Sequence, residues 1–172
     1  MKFVKYLKIG AVCFLLFSAI ATSYGQEITN IARYRGMEIR LPEIWTFSAE
    51  EVEQGVAYQI TCLGLNNTGD ANTILLQRYD VEMDLGGLLN ITKGALQVSI
   101  PGDPFFSQNR TGMFGNYRTL YCTFKGNIGR YRYSGQIMIF HNNGKTFLLL
   151  HQGDEKYYES GLNDKILATI QL

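Results

Sequence analysis

The chain has 172 residues, with 16 basic and 15 acidic side chains and a formal net charge of +1. This length suits a single domain, and the near-neutral charge gives no reason to expect nucleic acid or an acidic surface as a partner. Aromatic residues make up 13% of the sequence, and it contains 18 glycines. This composition favours a strand-rich domain with tight turns and excludes an intrinsically disordered chain.

Residues 1–25 have the layout of a secretory signal peptide. Three lysines fall within the first eight residues, an apolar run covers residues 9–20, and small residues follow at 19–21 and 23–25 as two alternative cleavage sites. The apolar run is shorter than the roughly 20 residues that a membrane-spanning helix needs. We therefore expect an exported chain, periplasmic or secreted, with no transmembrane span and with a single mature domain over residues 26–172.

Residues 136–141 and 145–151 predict two strands joined by Asn143-Gly144, a pair that accepts the positive φ angles of a type I′ turn. This turn predicts a register of six facing pairs: Gln136–His151, Ile137–Leu150, Met138–Leu149, Ile139–Leu148, Phe140–Phe147 and His141–Thr146. Both faces of the hairpin are apolar, which indicates the middle of a sheet that is covered on two sides.

The other predicted elements surround this hairpin. In chain order they are a strand over 37–41, a short helix over 49–54, strands over 55–63 and 73–79, a helix over 85–98, an irregular segment over 101–115, strands over 117–125 and 130–140, and a helix over 154–170. Ser48 and Asp84 are the expected N-caps of the first two helices. The predicted class is α+β, with a central antiparallel sheet of about six strands and helices packed on both faces.

Several of these features make the chain resemble the PsbP-like α/β/α sandwich family over roughly residues 37–172. They are the early strand that ends in Leu41-Pro42-Glu43-Ile44-Trp45, the mid-chain helix and the group of strands over 117–150 that is interrupted by glycines. The fourth is the apolar end of the last predicted helix, Ile166-Leu167-Ala168-Thr169-Ile170. The resemblance implies a central antiparallel sheet flanked by helices and a non-catalytic role in binding or assembly. It carries no binding residue over to this sequence.

The two histidines are the first candidates for chemistry. In the predicted register His141 and His151 lie on opposite faces of the hairpin, five residue steps or roughly 17 Å apart, so they cannot share a metal ion or act as a pair. The sequence has no G-x-S-x-G nucleophile motif and no glycine-rich phosphate motif. We therefore expect no catalytic group, no cofactor and no metal site. The alternative is a hydrolase-like enzyme that uses His151 with Asp154 or Glu155.

Cys62 and Cys122 remain once the leader is removed, and both fall in predicted strands. They can form a cross-strand disulfide in an oxidising compartment if their Cα atoms come within about 7 Å. The other interpretation is two small buried thiols. Both readings stay open, because spacing alone does not decide between them.

Four apolar side chains in the predicted irregular segment form a possible contact patch: Phe105, Phe106, Met113 and Phe114. Such residues either contact a partner or pack beneath their own loop. Three N-x-[ST] sequons matter only in a host that glycosylates them; they begin at Asn66, Asn90 and Asn109.

Together these patterns favour an exported, non-catalytic binding or assembly module of the cell envelope with a protein partner. The alternatives are the secreted hydrolase-like enzyme described above and a structural component of the envelope.

Overall fold

A computed structural model describes residues 27–52, 56–65, 71–100, 102–155 and 161–172. The predicted leader and the sequon at Asn66 lie outside these residues. The described elements are β1 (Ile28–Tyr34), β2 (Met37–Pro42), β3 (Thr46–Glu50), β4 (Tyr58–Leu65), β5 (Ala71–Tyr79), α1 (Leu85–Ser99), β6 (Phe105–Phe106), β7 (Arg110–Phe114), β8 (Tyr117–Ile128), β9 (Tyr131–Asn142), β10 (Lys145–Asp154) and α2 (Leu162–Leu167).

The main sheet has eight antiparallel strands. Seven follow the order β3-β4-β5-β10-β9-β8-β6, and β7 pairs with β8 beside β6. Strands β1 and β2 form a separate two-stranded sheet. The PsbP-like expectation of a central antiparallel sheet is therefore met, with more strands than the six predicted.

The β9–β10 hairpin lies at the centre of this sheet, between β5 and β8. All six predicted residue pairs are present in its register. Asn143 (φ 51°) and Gly144 (φ 73°) adopt the left-handed conformations that the turn requires. The register was predictable because a two-residue turn fixes the pairing of the strands that it joins.

The two faces of the main sheet carry different covers. One, which we call the hairpin face, packs against β1, β2 and α2. Its buried residues include Met37, Ile39, Leu41, Trp45, Tyr58, Ile60, Phe140, Phe147, Leu149, Ile166 and Leu167. The other, the helix face, packs against α1. Its buried residues include Leu75, Leu88, Leu89, Leu96, Cys122, Phe124, Ile137, Ile139 and Leu148.

The prediction of helices on both faces is therefore wrong. The hairpin face is covered largely by the β1–β2 sheet, and α2 adds only six residues there. Of the helix predicted over 154–170, Asp154 belongs instead to β10 in pairing with β9, residues 156–160 lie outside the described residues, and α2 covers Leu162–Leu167. Gly161, at φ 69°, then stands immediately before α2. The part of the chain that the structure describes is mostly β. The predicted sandwich with helices on both sides is therefore wrong at the hairpin face.

Two local predictions also fail. The helix expected over 49–54 is replaced by β3, in which Ser48 faces Thr61 of β4 instead of capping a helix. The segment expected to be irregular contains β6 and β7, which both pair with β8. In each case pairing with a strand distant in sequence outweighs the local signal.

Helix α1 confirms the prediction for residues 85–98. Asp84 caps it, because its carboxylate oxygens accept hydrogen bonds from the backbone N–H groups of Gly86 (3.2 Å) and Gly87 (2.9 Å). It ends at Ile100, which is extended and precedes a proline. Within the described part of the chain, neither helix has the length and hydrophobicity needed to cross a bilayer.

Candidate binding site

A cleft opens where the β1–β2 turn meets the β9–β10 turn. We call it the tip cleft. It has a volume of about 140 Å³ and is lined by Arg35, Gly36, Met37, Tyr58, Arg78, Asn142, Asn143, Lys145, Phe147 and Leu172. These residues come from both hairpin turns, from the start of β4, from the end of β5 and from the last residue of the sequence.

The floor of the tip cleft is built by one cross-strand row on the hairpin face. Tyr58 of β4 faces Arg78 of β5, and Arg78 faces Phe147 of β10. Tyr58 and Phe147 are buried. The guanidinium carbon of Arg78 lies 4.6 Å from the Tyr58 ring centroid, which is cation–π geometry. Burial raises the pKa of the Tyr58 hydroxyl although the nearby Arg78 charge opposes this, so the phenol is protonated at neutral pH.

The lining carries three cations, Arg35, Arg78 and Lys145, and no acidic side chain. Arg78 forms an ion pair with Asp80 at 3.0 Å, and Arg35 forms one with Glu51. Both carboxylates lie outside the lining and are more than half exposed. Lys145 makes no ion pair with any residue in the described ranges. Counting side chains, the three cations and their two paired carboxylates leave the tip cleft with a local excess of one positive charge, that of Lys145.

The β1–β2 turn places Arg35 in an unusual backbone conformation. Arg35 has φ 48° and Gly36 has φ 87°, so both are left-handed. Glycine and asparagine adopt this region at little cost, but a long unbranched side chain does so rarely. The strained arginine lies in a hairpin turn and lines both the tip cleft and the depression beside it. Strain of this kind is found most often at functional sites.

A second depression, of about 250 Å³, lies on the other side of the same turn. Its lining includes Glu38, whose carboxylate pairs with Arg33 at 2.9 Å and with Arg40 at 3.6 Å. Its lining also contains the cations Arg33 and Arg35, the second of which it shares with the tip cleft, so a carboxylate and cations stand together inside this depression. The tip cleft is thus the better candidate for a binding site.

The opposite end of the β9–β10 hairpin is closed. We call it the sealed end, and we define it by Asn72, Ser134, Gln136, His151 and Gly153 on the hairpin face. His151 is 1% exposed, and a hydrogen bond of 3.1 Å joins its Nε2 to Oε1 of Gln136. Burial lowers the pKa of His151 to about 4. The imidazole is therefore neutral at physiological pH and out of contact with bulk solvent.

The residues proposed for a hydrolase do not form a solvent-accessible group with His151. Asp154 is three positions further along β10, so strand alternation directs its side chain to the opposite face. The Glu155 carboxylate pairs with Lys125 at 3.2 Å and with Arg132 at 3.9 Å. The other histidine, His141, donates a hydrogen bond from Nε2 to the Met83 carbonyl at 3.0 Å.

Cys62 and Cys122 are both free and buried. Cys62 lies on the hairpin face and Cys122 on the helix face. Three strands separate β4 from β8, which places the two cysteines roughly 19 Å apart at normal strand spacing. Burial raises the pKa of Cys62 to about 12, so this thiol is unreactive at neutral pH.

The four apolar residues of the predicted contact patch are dispersed. Phe106 packs toward Phe124 on the helix face, and Phe114 packs toward Phe140 on the hairpin face. Phe105 (78% exposed) and Met113 (66% exposed) face solvent. Phe105 is opposite Lys125 and Met113 is opposite Arg118, which puts them roughly 23 Å apart along β8. They do not form one patch.

No group of three or more metal-ligating side chains occurs among the residues that the structure describes. The tip cleft was missed in the sequence because its residues are far apart in the chain and belong to no motif. The one available signal was Arg35-Gly36 between two strand-like runs, since glycine at the second position suits a type I′ turn.

Comparisons with known proteins give a fold and no family assignment. No protein-family model matches the sequence, and no curated protein sequence matches it. Among solved structures, the chain is similar to the solution structure of cyanobacterial PsbP (CyanoP) from Synechocystis sp. PCC 6803. The TM-score is 0.55 at 12% identity, with 88% of this chain and 98% of that chain covered. The PsbP-like resemblance is thus confirmed at the level of the fold.

A second similar structure is LpqN, involved in cell envelope biogenesis of Mycobacterium tuberculosis. It aligns with a TM-score of 0.49 at 14% identity and covers 79% of this chain and 83% of that chain.

Proposed function

We propose that the chain is an exported, non-catalytic binding or assembly module of the cell envelope that contacts a protein partner at the tip cleft. The observation that carries this proposal is the tip cleft itself. Its lining contains three cations from three different parts of the fold together with the buried residues Met37, Tyr58 and Phe147, and it contains no acidic side chain. A shallow, charged and partly apolar surface of this kind suits recognition of another molecule.

The sequence-based part of the proposal is export. Residues 1–25 carry the pattern of a cleavable leader. The PsbP-like fold is compatible with a binding role, but a fold alone does not define a function. For this reason the tip cleft, and not the fold, identifies the proposed contact surface.

The surroundings of His151 argue against the hydrolase-like alternative. A general base must come within hydrogen-bonding reach of a substrate proton. The His151 ring is almost fully buried and bonded to Gln136, and Glu155 is held by two cations. The burial of His151 and its hydrogen bond to Gln136 are explained if this histidine stabilises the fold, and they require no substrate.

Site-specific photo-crosslinking in intact cells tests the proposal. A photoreactive amino acid at position 143, on the rim of the tip cleft, should give one discrete adduct with an envelope protein. The same amino acid at position 165, exposed on α2, is the matched control and should give none. Adducts from neither position, equal adducts from both, or recovery of the processed chain in the cytosol would each contradict the proposal.

A further inference from the structure

We infer that the tip cleft binds a carboxylate side chain, as found on a glutamate or aspartate of a protein partner. This inference rests on the proposed function, because it names the chemical group by which the partner is held. It follows from three properties of the tip cleft: apolar side chains in its floor, three cations in its lining and the exposed amide of Asn143 at one side.

The floor suits the methylene portion of an acidic side chain. Met37, Tyr58 and Phe147 are at most 4% exposed, so they are firmly packed and only a small apolar area of them borders the cleft. The edge-to-face contact between Tyr34 and Tyr58, with ring centroids 5.4 Å apart, holds the Tyr58 ring in place. A methylene group placed there gains contact area, whereas a fully hydrated phosphate would gain none.

The cations of the lining, Arg78 in the floor and Arg35 and Lys145 at the two turns, provide the charge that a carboxylate needs. Arg78 is kept in position by the Tyr58 ring and by Asp80, and its planar guanidinium presents paired donors that match a carboxylate. Lys145 adds a cation without an ion-pair partner among the described residues. Arg35 approaches from the other turn, with its guanidinium carbon 5.7 Å from the Tyr34 ring.

The existing ion pairs do not block a ligand. Glu51 and Asp80 pair with Arg35 and Arg78 from outside the lining, and their side chains are 68% and 55% exposed. Exposed pairs of this kind contribute little to stability. An incoming carboxylate can therefore share these arginines or replace one of the exposed partners. Asn143 is exposed and offers a side-chain amide donor near Lys145, whereas the Asn142 amide donates to the Tyr117 hydroxyl at 3.4 Å.

The size of the tip cleft limits the ligand to a small group. A volume of about 140 Å³ accommodates one acidic side chain and excludes a folded acidic surface. The positive charge is also local, since the chain carries a net charge of only +1. We therefore expect the tip cleft to recognise the shape and chemistry of one acidic side chain. We do not expect it to attract polyanions in general.

Nuclear magnetic resonance titration of the exported chain with glutarate tests the inference, because glutarate combines carboxylates with a methylene chain. Glutarate should shift the amide signals of Gly36, Asn142, Asn143 and Lys145. Lys145→Gln should weaken binding by about fivefold, the effect of one partly exposed charge pair. The matched control, Lys165→Gln, removes an exposed lysine on α2 and should leave binding unchanged. Inorganic phosphate should bind more weakly than glutarate.

The outcomes separate the inference from the proposed function. Stronger binding of phosphate, equal binding of both probes, or equal binding by Lys145→Gln and wild type would overturn the carboxylate assignment. An in vivo adduct from position 143 that persists in Lys145→Gln at full yield would also overturn it, and the binding module would stand. Glutarate binding that depends on Lys145, without any envelope adduct, would leave the carboxylate site standing and overturn the proposed function.

Discussion

The chain's two histidines lie at opposite ends of the β9–β10 hairpin, and one is exposed to solvent whereas the other is buried. His141 is exposed, beside a turn that borders the tip cleft. His151 is 1% exposed and bonded to Gln136 at the sealed end. One continuous pair of strands therefore connects a charged, open surface to a closed polar interior.

The two ends of the hairpin differ in exposure because different groups surround them. Side chains with flexible charged heads surround the tip cleft, whereas close backbone approaches define the sealed end. At Gly153 an added Cβ would lie 1.6 Å from Oδ1 of Asn72. At Gly64, which faces Asn72 of the sealed end across β4 and β5, it would lie 2.2 Å from the Trp45 ring. Changes in covalent volume should thus be costly at the sealed end, and changes in charge should matter mainly at the tip cleft.

The largest expected effect is that of adding one methyl group beneath Trp45. Gly64→Ala would bring a Cβ within 2.2–2.6 Å of three atoms of the indole ring, so the ring must move. We expect the free energy of unfolding to fall by about 3 kcal/mol, the upper part of the usual overpacking range. Because Trp45 is the only tryptophan, its fluorescence emission should also shift to longer wavelength.

Gly94→Ala is the matched control for this substitution. An added Cβ at Gly94 meets no atom within 4 Å, and the residue lies inside α1. Alanine there should increase the free energy of unfolding by about 1 kcal/mol, because it favours the helix. Denaturant titration of both variants measures the difference. Equal stability of the two would show that the Trp45 ring adapts without cost.

The second effect is a dependence of stability on pH that comes from His151. Its pKa is about 4 in the folded chain, below the ordinary value of 6.5. The unfolded chain therefore binds a proton first as the pH falls, and stability decreases between pH 6.5 and 4. The full contribution is about 3 kcal/mol, from 1.36 kcal/mol for each pKa unit. Denaturant unfolding at pH 7, 6, 5 and 4.5 measures it.

His151→Gln should remove this part of the pH dependence, since glutamine does not titrate in this range. His141→Gln is the control, because His141 is exposed at the other end of the same hairpin. Carboxylates also titrate as the pH falls, but they are common to both variants. If His141→Gln flattened the profile and His151→Gln did not, the roles that we assign to the two ends would be reversed.

The sequence predicted the hairpin and α1 because both are specified by residues close together in the chain. Asn143-Gly144 fixes the register of β9 and β10, and Asp84 caps the helix that follows it. The β3 strand was missed because Ser48 and Glu51 also fit a helix start, and only its pairing with β4 decides against that. Local signals were reliable only where no distant strand competed for the same residues.

The tip cleft could not be predicted for a related reason. Arg35, Arg78 and Lys145 are separated by more than 40 residues at each step, and only the sheet order brings them together. By contrast, His151 with Asp154 or Glu155 was a candidate because these residues are neighbours in sequence. Strand alternation and the ion pairs of Glu155 separate them in the fold.

The smallest expected effect compares the two turns at the tip cleft. Arg35 (φ 48°) and Asn143 (φ 51°) hold equivalent left-handed positions, but asparagine tolerates this region better than arginine. Arg35→Gly should therefore increase the free energy of unfolding by about 0.5–1 kcal/mol, because relief of strain exceeds the loss of the exposed Glu51 pair. Asn143→Gly should change it by less.

Thermal unfolding of both variants, with glutarate binding measured alongside, tests this comparison. A more stable Arg35→Gly chain that binds glutarate more weakly would mean that the arginine is kept at a cost to the fold, for the sake of the tip cleft. A less stable Arg35→Gly chain would mean that the ion pair with Glu51 outweighs the backbone strain. In that case the left-handed arginine would no longer be an argument for function at this end of the molecule.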